Sequence, residues 1–263
     1  MTELLNLNLY HFLMVLLRVG SALSLMPGFM TSYVNTQVKL SVALAICIVM
    51  MPVIAPHLPP QPGDVLTMFS YILSEITIGV FLGVIMQILY TSLALAGNLA
   101  GQAVGFSNAQ IFDPTFQTQT IVLETFLNIV ALTVIFLTDL HHLMLSAVVD
   151  SYHLFPVGST LPWGDFAKDV SQTLNDSFVM GFKIGSPFIA FTIVFYVGMG
   201  LVSRLMPQLN IFFLSLPLQI YLGLGLLFLT TPMMIVWFAR YYENGLRASK
   251  QEECMCLTQL FIM

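Results

Sequence analysis

The sequence predicts an all-α, polytopic membrane protein built of long helical hairpins. Three observations point there. Of 263 residues, 57% are hydrophobic and 8% are charged, whereas an ordinary soluble domain carries about 25% charged residues to face water. The mean hydropathy is +0.89. Apolar runs near the length of about 20 residues that crosses a ~30 Å hydrocarbon layer recur along the chain, separated by proline-rich or polar stretches.

Taken in order, Leu9–Met26 is the first run and carries His11 and Arg18. Residues 1–17 hold Glu3 but no Lys or Arg, unlike a standard signal peptide, so this segment is expected to be retained. Leu40–Ala55 is free of charge but short. Pro52, Pro56, Pro59, Pro60 and Pro62 lie in or after its end. Each lacks an N–H and clashes with the preceding turn, so a break is expected from 52 to 62. Val65–Ala96 is interrupted only by Glu75, and its roughly 32 residues would make a helix of about 48 Å. Thr120–Thr138 has Glu124 near its start. Ile184–Ser203 and Ile211–Ala239 carry no charge, with Pro217 and Pro232 as places where the latter could kink.

Between 150 and 176 lies the one sizeable polar region, containing "GSTLPWGDFAKD". Runs longer than a bilayer predict helices packed on other protein beyond it, or bent back as hairpins. Lys168, Arg240, Arg247 and Lys250 on one side, against Lys39 and Arg204 on the other, favour cytoplasmic termini for six spans.

Composition also excludes functions. The net charge is −5 and the eight basic residues are scattered, so no surface for nucleic acid is expected. Cys47 sits in an apolar run as a small buried thiol. Cys254 and Cys256 are too close for an ordinary disulfide framework and lack metal-ligand partners. His141 and His142 are adjacent, which puts them on different helical faces, and no HExxH spacing occurs. No metal and no cofactor are expected. Nor is an enzyme: there is no G-x-S-x-G, no Walker-type loop and no G-x-G-x-x-G.

The stretch "AGNLAGQAVGFSNAQIFDP" holds the strongest local signal. Gly97, Gly101 and Gly105 fall four apart and line one helical face. In lipid no hydrophobic drive joins helices, and such stripes let backbones approach closely, either within this chain or against another subunit. Pro114 then blocks smooth continuation of the helix. Irregular backbone at membrane depth is tolerated only where protein buries it or water fills a cavity. Phe106, Ile111, Phe112 and Phe116 are apolar knobs able to obstruct an aqueous passage, the alternative being an ordinary surface connection. Arg18, Glu75, Glu124 and Lys183 lie within or beside apolar runs, where charges face a bundle interior or water and find partners. In "GLVSRLMPQLNIFFLSLPLQI", Arg204, Pro207, Gln208 and Asn210 read as a tight turn between two membrane helices, with Arg and amides tying down orphan carbonyls.

Jointly, "RVGSALSLMPGF", "VKLSVALAICIVMMPVIAP", "AGNLAGQAVGFSNAQIFDP", "HLMLSAVVDSYHLFPVGS" and "GMGLVSRLMPQLNIFFLSLPL", in that order over about 10 to 245, resemble the FliR family of the flagellar type III export apparatus. The resemblance implies a FliP-like part over 1–176, a FliQ-like helical hairpin over 177–245 and a tail over 246–263 that matches nothing in the family. It implies a subunit that joins FliP- and FliQ-like proteins in an export gate at the bacterial inner membrane, in the flagellar basal body. FlhB- and FlhA-like export proteins would be further partners, with unfolded flagellar subunits in transit and membrane lipid around. In that family the loop after the small-residue helix contributes to a channel plug. Carried over, this is Gly105, Phe106, Ile111, Phe112, Asp113 and Pro114. "SNAQ" is more polar than a seal suggests. The alternative function is a secondary transporter for a small solute or proton using Arg18, Glu75 and Glu124, although such folds show paired broken helices in two related halves.

Overall fold

A computed structural model gives the fold and describes residues 2–29, 35–105, 122–159, 161–206 and 211–260. Among these the chain is all α. The helices are α1 (Thr2–Leu25), α2 (Thr36–Ile54), α3 (Val65–Val104), α4 (Val122–Leu137), α5 (Leu140–Leu154), α6 (Trp163–Leu205) and α7 (Ile211–Leu260), with a 3-10 turn at Ala55–His57. It is an all-α, polytopic membrane protein. Among the described residues α2, α3, α6 and Ser215–Arg247 of α7 are long and apolar enough to cross a membrane, and α4 with α5 could supply one more. In α1 the described apolar stretch is Leu9–Leu25, shorter than the four above.

Several boundaries differ from the sequence expectation. α2 runs through Pro52 to Ile54, because a proline near a helix end removes one hydrogen bond from a turn that is about to stop. α3 has 40 residues rather than ending at Ala96, so it is about 60 Å long. α6 starts at Trp163, inside the stretch expected to be polar connection. Asp165 stands in its first turn, where a carboxylate suits the positive end of the helix dipole. Phe166 is buried while Asp165, Ala167 and Lys168 are exposed. That is an amphipathic helix start, invisible to a search for unbroken apolar runs.

The chain folds as two compact units. The first comprises Met1–Leu89, Asp139–Leu174 and Glu243–Met263. In it α1 packs on α2, and the first part of α3 approaches α1 at backbone distance. A Cβ on Gly79 would overlap the Ser21 hydroxyl and the Arg18 carbonyl, and one on Gly83 would lie 2.9 Å from the Ala22 carbonyl oxygen. Met14, Val15, Val19, Ala22, Ile78 and Val148 are fully buried there. Phe81 stacks on Phe166 with centroids 4.1 Å apart, and Phe155 meets the same ring edge-on. α5 begins after Asp139, whose φ of 57° is left-handed and cannot continue a helix.

The second unit comprises Tyr90–Thr138 and Asn175–Tyr242. α4 buries Leu123, Leu127, Ala131 and Ile135 on one stripe. The second part of α3 is approached by α4 and α6. A Cβ on Gly97 would stand 2.9 Å from Glu124 Cα, and one on Gly181 would stand 2.9 Å from the Ser92 carbonyl oxygen. Gly185 faces Leu99 one turn on. Outward, α6 and α7 present Ile193, Val194, Val197, Leu201, Tyr221, Phe228 and Leu229 as exposed apolar side chains, as helices do when lipid or another subunit covers them.

Candidate functional site

Two arrangements stand out, one in each unit. In the first, Arg18 of α1 and Glu75 of α3 are both fully buried and form a bidentate ion pair. Arg18 Nε donates to Glu75 Oε2 at 2.8 Å and Nη2 to Oε1 at 2.7 Å. The other guanidinium hydrogens go to the end of α5. Nη2 donates to the Phe155 carbonyl at 2.9 Å, and Nη1 to the Ser151 carbonyl at 3.1 Å and Oγ at 3.3 Å. The Tyr152 ring lies 3.9 Å below the guanidinium carbon. An arginine fork has five donors, and all five are engaged. The clamp ties three helices together and caps the Phe155 carbonyl at the end of α5, while the Ser151 carbonyl also accepts the Phe155 N–H. It leaves no donor for a passing ligand.

In the second unit, the end of α3 is built to stop. Gly105 has φ +88° and its N–H donates to the Gln102 carbonyl at 3.1 Å, the glycine-favoured left-handed exit from a helix. Gln219 of α7 is 2% exposed and its Nε2 donates to the Ala103 carbonyl at 2.8 Å. Its amide faces Gly105, where a Cβ would stand 3.1 Å from Gln219 Cδ. One turn along α7, a Cβ on Gly223 would be 3.0 Å from Val104 Cα. Neighbouring polar groups form a short chain. Asn98 Nδ2 donates to Glu124 Oε2 at 3.1 Å, and Gln102 Nε2 to Asn98 Oδ1 at 2.7 Å.

The sequence-predicted residues distribute as follows. Gly97 and Gly101 are on α3, Gly97 against α4 and Gly101 buried. Gly105 closes the helix. Phe106, Ile111, Phe112, Asp113 and Pro114 lie outside the described residues, as do Phe116, Pro207, Gln208 and Asn210. Arg204 is exposed on the last turn of α6. Lys183 is exposed on α6.

Sequence reasoning missed Gln219, although a lone amide in "FLSLPLQIYLGLG" was the available signal. It also missed the close-approach pairs Gly79/Gly83 and Gly181/Gly185, which repeat the four-residue spacing of Gly97/Gly101. Asp139, His141 and His142 bring one ligand atom each within 4.8 Å of one another. Adjacency had argued against that grouping for the histidines. His142 Nδ1 lies 3.5 Å from Asp139 Oδ1, and both side chains are largely exposed to solvent.

Comparison with known proteins places the chain in a family. The model of the family "Bacterial export proteins, family 1" matches residues 9–245. The flagellar biosynthetic protein FliR of Caulobacter vibrioides is 34% identical over 237 residues, covering 90% of this chain and 94% of that one. FliR of Escherichia coli K12 is 31% identical over 168 residues, 62% of this chain and 64% of its own. The Yop proteins translocation protein T of Yersinia pestis is 28% identical over 162 residues, covering 59% and 60%. With a family model and a relative both matched over nearly the whole length, the chain belongs to the FliR family of bacterial export proteins.

Proposed function

We propose that this chain is a non-enzymatic subunit of the flagellar type III protein export gate at the bacterial inner membrane. It builds part of a conduit wall with FliP- and FliQ-like subunits, near FlhB- and FlhA-like proteins, and unfolded flagellar subunits pass through. Residues 1–176 are its FliP-like part and 177–245 its FliQ-like hairpin, with 246–263 as a tail. The segment led by Gly105, with Phe106, Ile111, Phe112, Asp113 and Pro114, stoppers the bore.

The observation that carries this reading is the end of α3. A buried helix terminates on a left-handed glycine, and a buried amide holds its last turn. The last turn of α3 is therefore a fixed end rather than a frayed one. The saturated Arg18–Glu75 clamp also counts against the secondary transporter, which would need those charges available to a solute or proton. Glu124, its third proposed ligand, accepts from Asn98 instead.

Deleting residues 106–112 tests the proposal. The deleted chain is expected to assemble with its FliP- and FliQ-like partners while the membrane becomes permeable to small ions. An assembled complex with unchanged conductance would remove the plug from the account. Transport of a small solute by the isolated chain in liposomes would instead favour the transporter.

A further inference from the structure

Glu124 is the one charge on α4 and stands in its first turn, where a carboxylate suits the positive end of the helix dipole. Its place is fixed. A Cβ on Gly97 would lie 2.9 Å from Glu124 Cα, and one turn on the Tyr90 hydroxyl donates to the Asn128 carbonyl at 2.8 Å. An amide chain then steadies the side chain. Gln102 Nε2 donates to Asn98 Oδ1 at 2.7 Å, and Asn98 Nδ2 to Glu124 Oε2 at 3.1 Å.

Among the described residues this carboxylate has no counter-charge. The ion pairs there are Arg18–Glu75, His142–Asp139 and Arg247–Glu243. In the unit that holds Glu124 the basic residues are Lys183, Arg204 and Arg240, all exposed and in none of those pairs. Residues 106–121, which precede α4, contain no Lys, Arg or His. Glu124 is only half-buried, and the same turns of α4 expose Val122, Phe126 and Ile129. Apolar side chains grouped in this way are covered by lipid or by protein. Lipid offers a carboxylate no partner, whereas a charge on a membrane helix finds one.

We infer that the α3–α4 seam at Glu124 is a docking point for a membrane helix of a neighbouring subunit, which brings a lysine or arginine to the carboxylate. The inference rests on the gate-subunit reading above and needs nothing of the plug. Asn98 holds Oε2, and Oε1 is left to the incoming donor.

The test uses the full chain co-expressed with its FliP- and FliQ-like partners and purified as the complex. Glu124→Gln keeps an oxygen for the Asn98 amide and removes only the charge. Its complex should exchange subunits at least about tenfold faster than wild type, the loss expected for one close interfacial charge pair. Glu124→Lys should abolish co-purification, and selection for restored export should return substitutions of a lysine or arginine in a partner's membrane helix. Exchange of Glu124→Gln at the wild-type rate overturns the docking point, as do normal assembly of Glu124→Lys and suppressors confined to this chain. A third variant asks whether water covers the seam instead. In a chain freed of its three native cysteines, Glu124→Cys should be shielded from a membrane-impermeant thiol reagent once the complex forms. Labelling as fast in the complex as in the free chain places the seam in water and removes the partner. A wild-type chain that recovers no FliP- or FliQ-like subunit would instead remove the gate reading itself.

Discussion

Replacing Arg18 with methionine should destabilise the first unit far more than its length of side chain suggests. The substitution strands the Glu75 carboxylate, which is fully buried and loses both of its short contacts. It also uncovers the Phe155 carbonyl, while the Ser151 carbonyl keeps the Phe155 N–H at 2.9 Å. Removing one partner of a buried ion pair costs about 3–5 kcal/mol, because an uncompensated charge remains. Glu75→Leu should fall in the same range. Glu75→Gln should cost less, about 1–3 kcal/mol, since the amide oxygen still accepts one guanidinium hydrogen. The pair Arg18→Met with Glu75→Leu is the informative variant. Both charges leave together, so its cost should be well under the sum of the singles. Denaturant titration of the detergent-purified complex, read by protease resistance of α1 and α3, measures all four. Single substitutions costing below about 1 kcal/mol, or a double variant that loses the full sum, would refute the view that these charges serve each other.

Other outcomes follow from the close helix approaches. Gly79→Ala should lower folded yield, because the new methyl meets the Arg18 carbonyl, a backbone atom that cannot swing aside; overpacking of this kind costs about 1–3 kcal/mol. Gly97→Leu should separate α3 from α4 by pushing on Glu124 Cα, seen as loss of a disulfide engineered between the two helices. Gly101→Leu should reduce co-purification with FliP- and FliQ-like partners, and normal recovery would confine the glycine stripe to packing within this chain. Gly105→Val should unsettle the end of α3, since a β-branched side chain resists φ +88°; equal stability and equal ion leak to wild type would contradict the role given to that turn.

Much of this was readable from residues alone, for a physical reason. Lipid imposes long apolar helices, so α2, α3 and the spans of α6 and α7 announce themselves by composition. Pairing does not. That Arg18 needs a partner follows from its place in an apolar run, but Glu75 is 57 residues away, and only packing selects it. The start of α6 hid because its charges face outward on an amphipathic turn. Gly97 and Gly101 were legible by spacing, whereas Gly79 and Gly83 have the same spacing amid bulkier neighbours and drew no notice. Gln219 shows the limit most plainly. Its oddness is visible in the string of letters, but its partner is a backbone carbonyl, which every residue possesses and no motif can point to.

Whether this chain both walls and stoppers a conduit depends on where the segment after Gly105 lies in the assembled gate. A density map of the complex with FliP- and FliQ-like subunits decides it. Residues 105–114 are expected on the central axis, with Phe106, Ile111 and Phe112 narrowing the bore. Density for the same residues on the outer rim, facing lipid, would contradict the proposed closure.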